Sequence, residues 1–182
     1  MPSPATSTDR SHEGADSNST VSSGPTLLWL SVAVVLLAGL ISAGYLASFS
    51  SFAIYDDEGY VMISLQSYQE GNALYDQTYT QYGPAFFQVS GLLHNILKLP
   101  ITHDIVRFKT LAMWLLSSIL AGIVVWRMIS PSESRLAKWL ALITVPLVFF
   151  HLDRFGLEAG HPQEICVLLM MLCLLIATWL GR

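Results

Sequence analysis

Apolar residues in this sequence fall in long unbroken runs, not in the narrow stripes of a soluble domain. The first run, Leu27 to Phe49, contains no charged side chain. At about 1.5 Å per helical residue it is long enough to cross a hydrocarbon core of about 30 Å. A second run extends from Ile105 or Phe108 to Ile129, and a third, from Leu136 to Phe150, is shorter and carries Pro146. A fourth extends from Ile165 to Leu180. The pattern predicts transmembrane helices near 27–49, 106–129, 136–150 and 165–180.

The stretch between the first two runs has a different rhythm. From Asp57, the residues Val61, Leu65 and Tyr68 recur on one face of a helix spanning about 57–70, and Gly71-Asn72 ends it. Pro84 suits a first helical turn and Pro100 follows an end, which predicts a second helix near 84–98. Its residues Phe86, Val89, Leu93, Ile96 and Leu97 are expected to face one way. At about 15 residues it is too short to span, so it is expected to lie along the membrane surface or dip partly in. The aromatic, polar segment from Tyr75 to Pro84 suits the headgroup region. The fold expectation is an all-α integral membrane protein: about four transmembrane helices, plus two interfacial helices in a loop over 50–104. Residues 1–26 are rich in Ser, Thr, Pro, Asp and Gly and are expected to be a disordered cytoplasmic N-terminus, with the membrane domain over 27–182. A long polar lead before a long apolar run favours a retained signal anchor over a cleaved signal peptide.

Composition agrees. Hydrophobic residues make up 53% and charged residues 12%, with a mean hydropathy of +0.52, where soluble domains carry about 25% charged residues. The net charge of -4 and the lack of a Lys/Arg cluster argue against nucleic acid as a partner. Cys166 and Cys173, at helical spacing in one apolar run, read as buried thiols packed among Leu and Met. Trp114, Trp126 and Trp139 read as packing or belt residues. Arg127, Arg135, Lys138 and Arg182 would share one side of the membrane, the cytoplasmic side by the positive-inside rule. Lys98, Arg107, Lys109 and Arg154 oppose that assignment. The expected setting is multi-pass in a plasma (inner) membrane with the N-terminus in the cytoplasm. The last apolar run is followed only by Gly181 and Arg182, so the chain reads as the N-terminal part of a longer membrane protein.

Two polar constellations could carry chemistry. Asp56-Asp57-Glu58 opens the first loop helix. Asp56 is a natural N-cap, and Asp57 and Glu58 favour the positive end of a helix dipole. Alternatively, one of them faces a cleft at the membrane surface as a general base, because burial moves a carboxylate toward a pKa useful for proton abstraction. With no Lys or Arg nearby in sequence, the cluster reads as unneutralised and open to an external cation, hydroxyl or metal. The second constellation, Glu158 to Glu164, includes His161, Pro162 and Gln163 and follows His151, Asp153 and Arg154. It reads either as a polar turn with a helix start or as a substrate-binding loop in which Arg154 or His161 meets a phosphate. Arg107 and Lys109 read as interfacial anchors or phosphate contacts. Asp56, Asp57, Glu158 and His161 are chemically acceptable ligands for a divalent metal such as Mn²⁺ or Zn²⁺.

The run Tyr55-Asp56-Asp57-Glu58-Gly59-Tyr60, followed by Tyr79-Thr80-Gln81-Tyr82-Gly83-Pro84 and by Gly160-His161-Pro162, resembles the membrane-embedded GT-C glycosyltransferases. The likeness is closest to the branch of protein O-mannosyltransferases and aminoarabinose transferases. Asp57-Glu58 would match the acidic pair of that family's first loop, and Tyr82-Gly83-Pro84 its aromatic-Pro segment. The resemblance covers most of Leu27 to Leu180. The extra Asp56, and the absence of further spans and of a following soluble domain, depart from the family pattern. What it implies is a sugar linked to polyprenyl phosphate as donor, an extracytoplasmic acceptor, and inverting transfer with Asp57 as base. Asp56 and Glu58 are the neighbouring acid candidates, and Tyr82, Arg107, Arg154, Glu158, His161 and Gln163 the candidate substrate and phosphate contacts. The competing expectation is a non-catalytic multi-span protein (a transporter fragment or an assembly subunit) or an inactive truncated product.

Overall fold

The computed structural model describes residues 24–50, 57–129, 135–155 and 159–181. They form six helices: α1 (Gly24–Ser50), α2 (Asp57–Gln69), α3 (Pro84–Leu97), α4 (His103–Ile129), α5 (Arg135–Phe155) and α6 (Gln163–Leu180). Four of them, α1, α4, α5 and α6, are long and apolar enough to cross a membrane. The chain is an all-α, multi-pass membrane protein. The expectation of disorder in the N-terminal segment falls almost entirely outside the described residues.

Helix α4 is the centre of the bundle. Half of its apolar stretch is buried, against about a tenth for each of the other three spans. It packs against α5, α6 and α1. The close approach of α1 depends on Gly44, where a Cβ would lie 2.5 Å from Leu111 Cδ1 and 2.7 Å from Phe149 Cζ. Those two side chains join Leu40 and Trp114 in one buried cluster. Trp29 of α1 meets Trp139 of α5 at a centroid distance of 4.7 Å, while the far end of α1 places Phe49 5.2 Å from Phe108 of α4. At the end of the bundle shared by the start of α5 and the end of α6, Arg127 lies over the Trp179 ring at 3.8 Å and its Nε donates to Thr178 Oγ1 at 3.1 Å.

The short helices cover the opposite end. Val61 and Leu65 of α2, Phe86 and Phe87 of α3, and Ile165 at the start of α6 form a second buried cluster. The α2 face is the one its periodicity predicts. Gly71, at φ +95°, turns the chain out of α2. Gly83 is extended before Pro84 enters α3, and Lys98 in the left-handed conformation closes α3, with the Leu99 N–H donating to His94 O at 3.0 Å.

Two burial expectations, for α3 and for the cysteines, and one helix boundary need correction. The buried face of α3 is Phe86, Phe87, Ser90, Gly91 and His94, whereas Ile96 and Leu97 point outward. Cys166 and Cys173 are exposed on α6, not buried. An apolar residue on a span can satisfy itself against lipid, so an apolar run does not imply burial in protein. Of the tryptophans only Trp114 is buried; Trp126 and Trp139 are on the periphery. Helix α5 also continues past Phe150 to Phe155, carrying Pro146 inside it.

Candidate functional site

The start of α4 presents His103 and Arg107 one turn apart on the same face. Both reach Glu58 in the first turn of α2. Arg107 Nε lies 3.1 and 3.2 Å from the two Glu58 carboxylate oxygens, and Arg107 Nη2 donates to Oε2 at 3.0 Å. His103 Nδ1 is 3.0 Å from Glu58 Oε1. Glu58 is buried, and the Arg107 guanidinium also lies 5.8 Å from the Phe49 ring centroid of α1. A planar fork on a carboxylate fixes direction as well as distance. The pair therefore ties the N-terminus of α2 to α4 beside the end of α1.

For Glu58 alone, this corrects the reading of an unneutralised acid: it carries two cationic or protonatable partners. Arg107, a candidate anchor or phosphate contact, directs Nε and Nη2 to Glu58. Asp57 is the first residue of α2, and its side chain lies outside what is described, as does the whole of Asp56.

The segment after α2 is ordered by its own polar groups. Tyr60 Oη donates to Tyr79 O at 2.9 Å, Tyr75 Oη donates to Tyr82 O at 2.9 Å, and the hydroxyls of Ser67 and Thr78 are 2.7 Å apart. These bonds deliver Tyr82 to the turn between α5 and α6. Its ring meets His161 edge-on at 5.4 Å and Phe86 at 6.1 Å. Tyr82 and His161, far apart in sequence, are thus brought together as candidate contacts of one site.

A second polar knot fastens that turn to the other side of α4. Gly160, at φ +83°, directs its N–H to Glu164 Oε1 at 2.7 Å and to Thr110 Oγ1 at 2.8 Å. The Thr110 hydroxyl donates to the same Glu164 oxygen. Lys109 Nζ stands 3.9 Å from Glu164 Oε2. Glu164 and Thr110 are buried. Gln163 is exposed at the start of α6, and its N–H donates to His161 Nδ1 at 3.3 Å. Sequence reasoning treated Glu164 as an ordinary helix-start residue and gave Thr110 no role. The available signal was an acid heading an otherwise uncharged apolar run, which in a membrane protein calls for a named partner.

Between α4, α5 and α6 lies a cavity of about 320 Å³. His151, His161, Gln163 and Glu164 line its polar part, and Val148, Val167 and Met171 its apolar part. Of the remaining sequence candidates, the Arg154 side chain and the whole of Glu158 lie outside the described residues. Of the four metal ligands considered, only His161 has a described side chain. Among the described residues no three His, Cys, Asp or Glu side chains gather closely enough to hold a metal.

Chemically, this end of the bundle offers an acid-bearing helix start, an aromatic–imidazole contact and a polar-mouthed cavity. No protein-family model, curated protein or solved structure matches the chain.

Proposed function

We propose that this chain is the N-terminal portion of a membrane glycosyltransferase that moves a sugar from a polyprenyl-phosphate donor to an extracytoplasmic acceptor. The observation that carries the reading is the docking of α2 by the Arg107–Glu58 fork, which holds an acid-bearing helix start at one end of four spans. A lipid-linked donor keeps its chain in the bilayer and its sugar at the surface, so a base must be held at that level. Glu58 is occupied by its partners, which leaves Asp57, one residue earlier at the helix start, as the base that deprotonates the acceptor hydroxyl. The hydroxyl oxygen then attacks the anomeric carbon, and the bond to the donor phosphate breaks with inversion. His161, in contact with Tyr82, and Arg154 are the groups assigned to the departing phosphate. The Lys/Arg bias of Arg127, Arg135, Lys138 and Arg182 supports a reading in which this end faces outside the cytoplasm of a plasma membrane and the N-terminus inside.

The experiment is Asp57→Asn in the full-length protein, assayed for transfer from a lipid-linked sugar in membranes. Transfer should fall by at least 10²-fold, the usual contribution of a general base. Unchanged transfer would remove Asp57 from the mechanism.

A further inference from the structure

We propose that the groove between α1, α4 and α5, at the Arg127 end of the bundle, binds an anionic phospholipid. The lipid phosphate meets Lys138, and an acyl chain runs down the groove toward the bilayer centre. The proposal does not depend on sugar transfer and concerns the end of the bundle opposite the Glu58–Arg107 fork.

Position along the three helices sets which part of the groove is shallow. Trp29 near the start of α1, Trp126 near the end of α4 and Lys138 in the first turn of α5 line its outer part. Ala33, Ile119 and Val145 line it farther in, and Ile119 lies about 10 Å of helix below Trp126. The groove holds about 360 Å³, within the usual small-molecule range of about 300–1,000 Å³. Trp29 is fixed as one wall by Trp139, which meets it edge-on at 4.7 Å. Two indoles and an ammonium above an apolar cleft match the layering of a bilayer, with headgroups at the level of the tryptophans and hydrocarbon below.

Charge selects the head. Lys138 is exposed, and among the described residues it has no ion-pair or hydrogen-bond partner. It is also the one charged residue among those that line the groove. Arg127 is directed to α6 instead, over Trp179 and onto Thr178. Arg135 begins α5 three positions before Lys138, and no described acid lies at this end; Glu133 and the N-terminal acids fall outside the described residues. A choline head would bring its own ammonium toward Lys138, whereas a net-anionic head brings no opposing cation. A basic pocket between spans is suited to anionic headgroups, and under the orientation proposed above it opens to the cytoplasmic leaflet, where anionic lipid gathers.

The test uses the full chain in phosphatidylcholine nanodiscs doped with a phosphatidylglycerol that carries a diazirine near the middle of one acyl chain. Photolabelling should be saturable and should map to Ile119–Ile123 of α4 and Leu142–Val145 of α5. The matching phosphatidylcholine probe should label these stretches about fivefold less, the worth of one basic residue near an anionic surface. Equal labelling by the two probes overturns the anionic head, and labels confined to other stretches overturn the site. Unlabelled phosphatidylglycerol should compete and inorganic phosphate should not; competition by phosphate shows a free-anion site and overturns the lipid. Lys138→Gln should bring the ratio of the two probes below about twofold, whereas Arg135→Gln, at a residue that does not line the groove, should keep it above about threefold. An equal loss in both variants shows a diffuse positive surface and overturns the built site. Ala33→Trp fills the groove without touching Lys138, and full labelling there places the probe elsewhere. Loss of labelling in discs that hold two chains shows a second copy seated in the groove and overturns the lipid. Thermal melting of each variant separates lost binding from lost fold, and the ratio of the two probes on the unaltered protein decides the proposal even if a variant unfolds. Because the readout is labelling, its outcome is separate from that of the Asp57 transfer assay.

Discussion

Replacing Arg107 with Leu leaves Glu58 buried at the foot of α2 without its fork. Removing one partner of a buried ion pair costs about 3–5 kcal/mol, because the remaining charge is uncompensated. The side chains here are 16% and 9% exposed, so some water reaches them and the lower figure of about 3 kcal/mol applies. His103 remains 3.0 Å from Glu58, but it is more than half exposed, so it recovers no more than about 1 kcal/mol. The net is about 2 kcal/mol, or about a 30-fold rise in the population with α2 undocked, at about 1.4 kcal/mol per tenfold.

Hydrogen exchange in nanodiscs reads that population directly. The amides of Val61, Ser64 and Leu65, on the buried face of α2, should exchange about 30-fold faster in Arg107→Leu, while those in the middle of α4 should be unchanged. The double variant Arg107→Leu/Glu58→Leu removes both charges and should return to within about threefold of the parent, since apolar replacement of a buried pair is close to neutral. The contact of Arg107 with Phe49 is lost in both variants, so it cancels in the comparison. Parental exchange in Arg107→Leu would refute the tether. A double variant as fast as the product of the two single effects would show that the pair has no coupling.

Three further outcomes follow from the packing. Gly160→Ala places a Cβ 2.6 Å from Val106 Cγ1 at φ +83°; it should cost roughly 1–3 kcal/mol in detergent melting, and adding Val106→Ala should relieve the clash but not the backbone strain. Gly44→Ala should separate α1 from α4 and α5 at a cost of about 1–3 kcal/mol, with Phe149→Leu recovering part of the lost melting temperature. A fluorophore on Cys substituted at Ile96, 65% exposed, should be quenched by bromine-labelled lipid tails; one at Gln88, exposed on the same helix, should be quenched at most half as much if the outward apolar face of α3 rests in the bilayer.

The spans were legible because lipid demands long apolar helices, a requirement written in composition alone. The same requirement hid which faces meet protein. Helix α3 is apolar on two sides, one against α2 and one outward, and its buried side includes Ser90, Gly91 and His94. A count of apolar residues therefore selected Ile96 and Leu97 for the core. Cys166 and Cys173 misled for the same reason. The Arg107–Glu58 pair was illegible for another: 49 residues separate its members, and no local spacing encodes their meeting. The acid cluster could be located from sequence, but not which acid was already engaged.

Two of the four basic residues that opposed the orientation rule, Arg107 and Lys109, now have a reason to stand where they do. Arg107 and Lys109 are two positions apart on α4, about 200° around the helix, and face different elements. Arg107 takes the carboxylate that starts α2; Lys109 stands by the carboxylate that starts α6. Each acid heads a helix whose first turn must be held against α4 near lipid, where a lone charge is costly. The two pairs make α4 the common support of the Asp57-bearing helix start and of the His161-bearing turn. A rotation of α4 about its axis would move both supports, so the distance between Asp57 and His161 is set by a helix that contains neither.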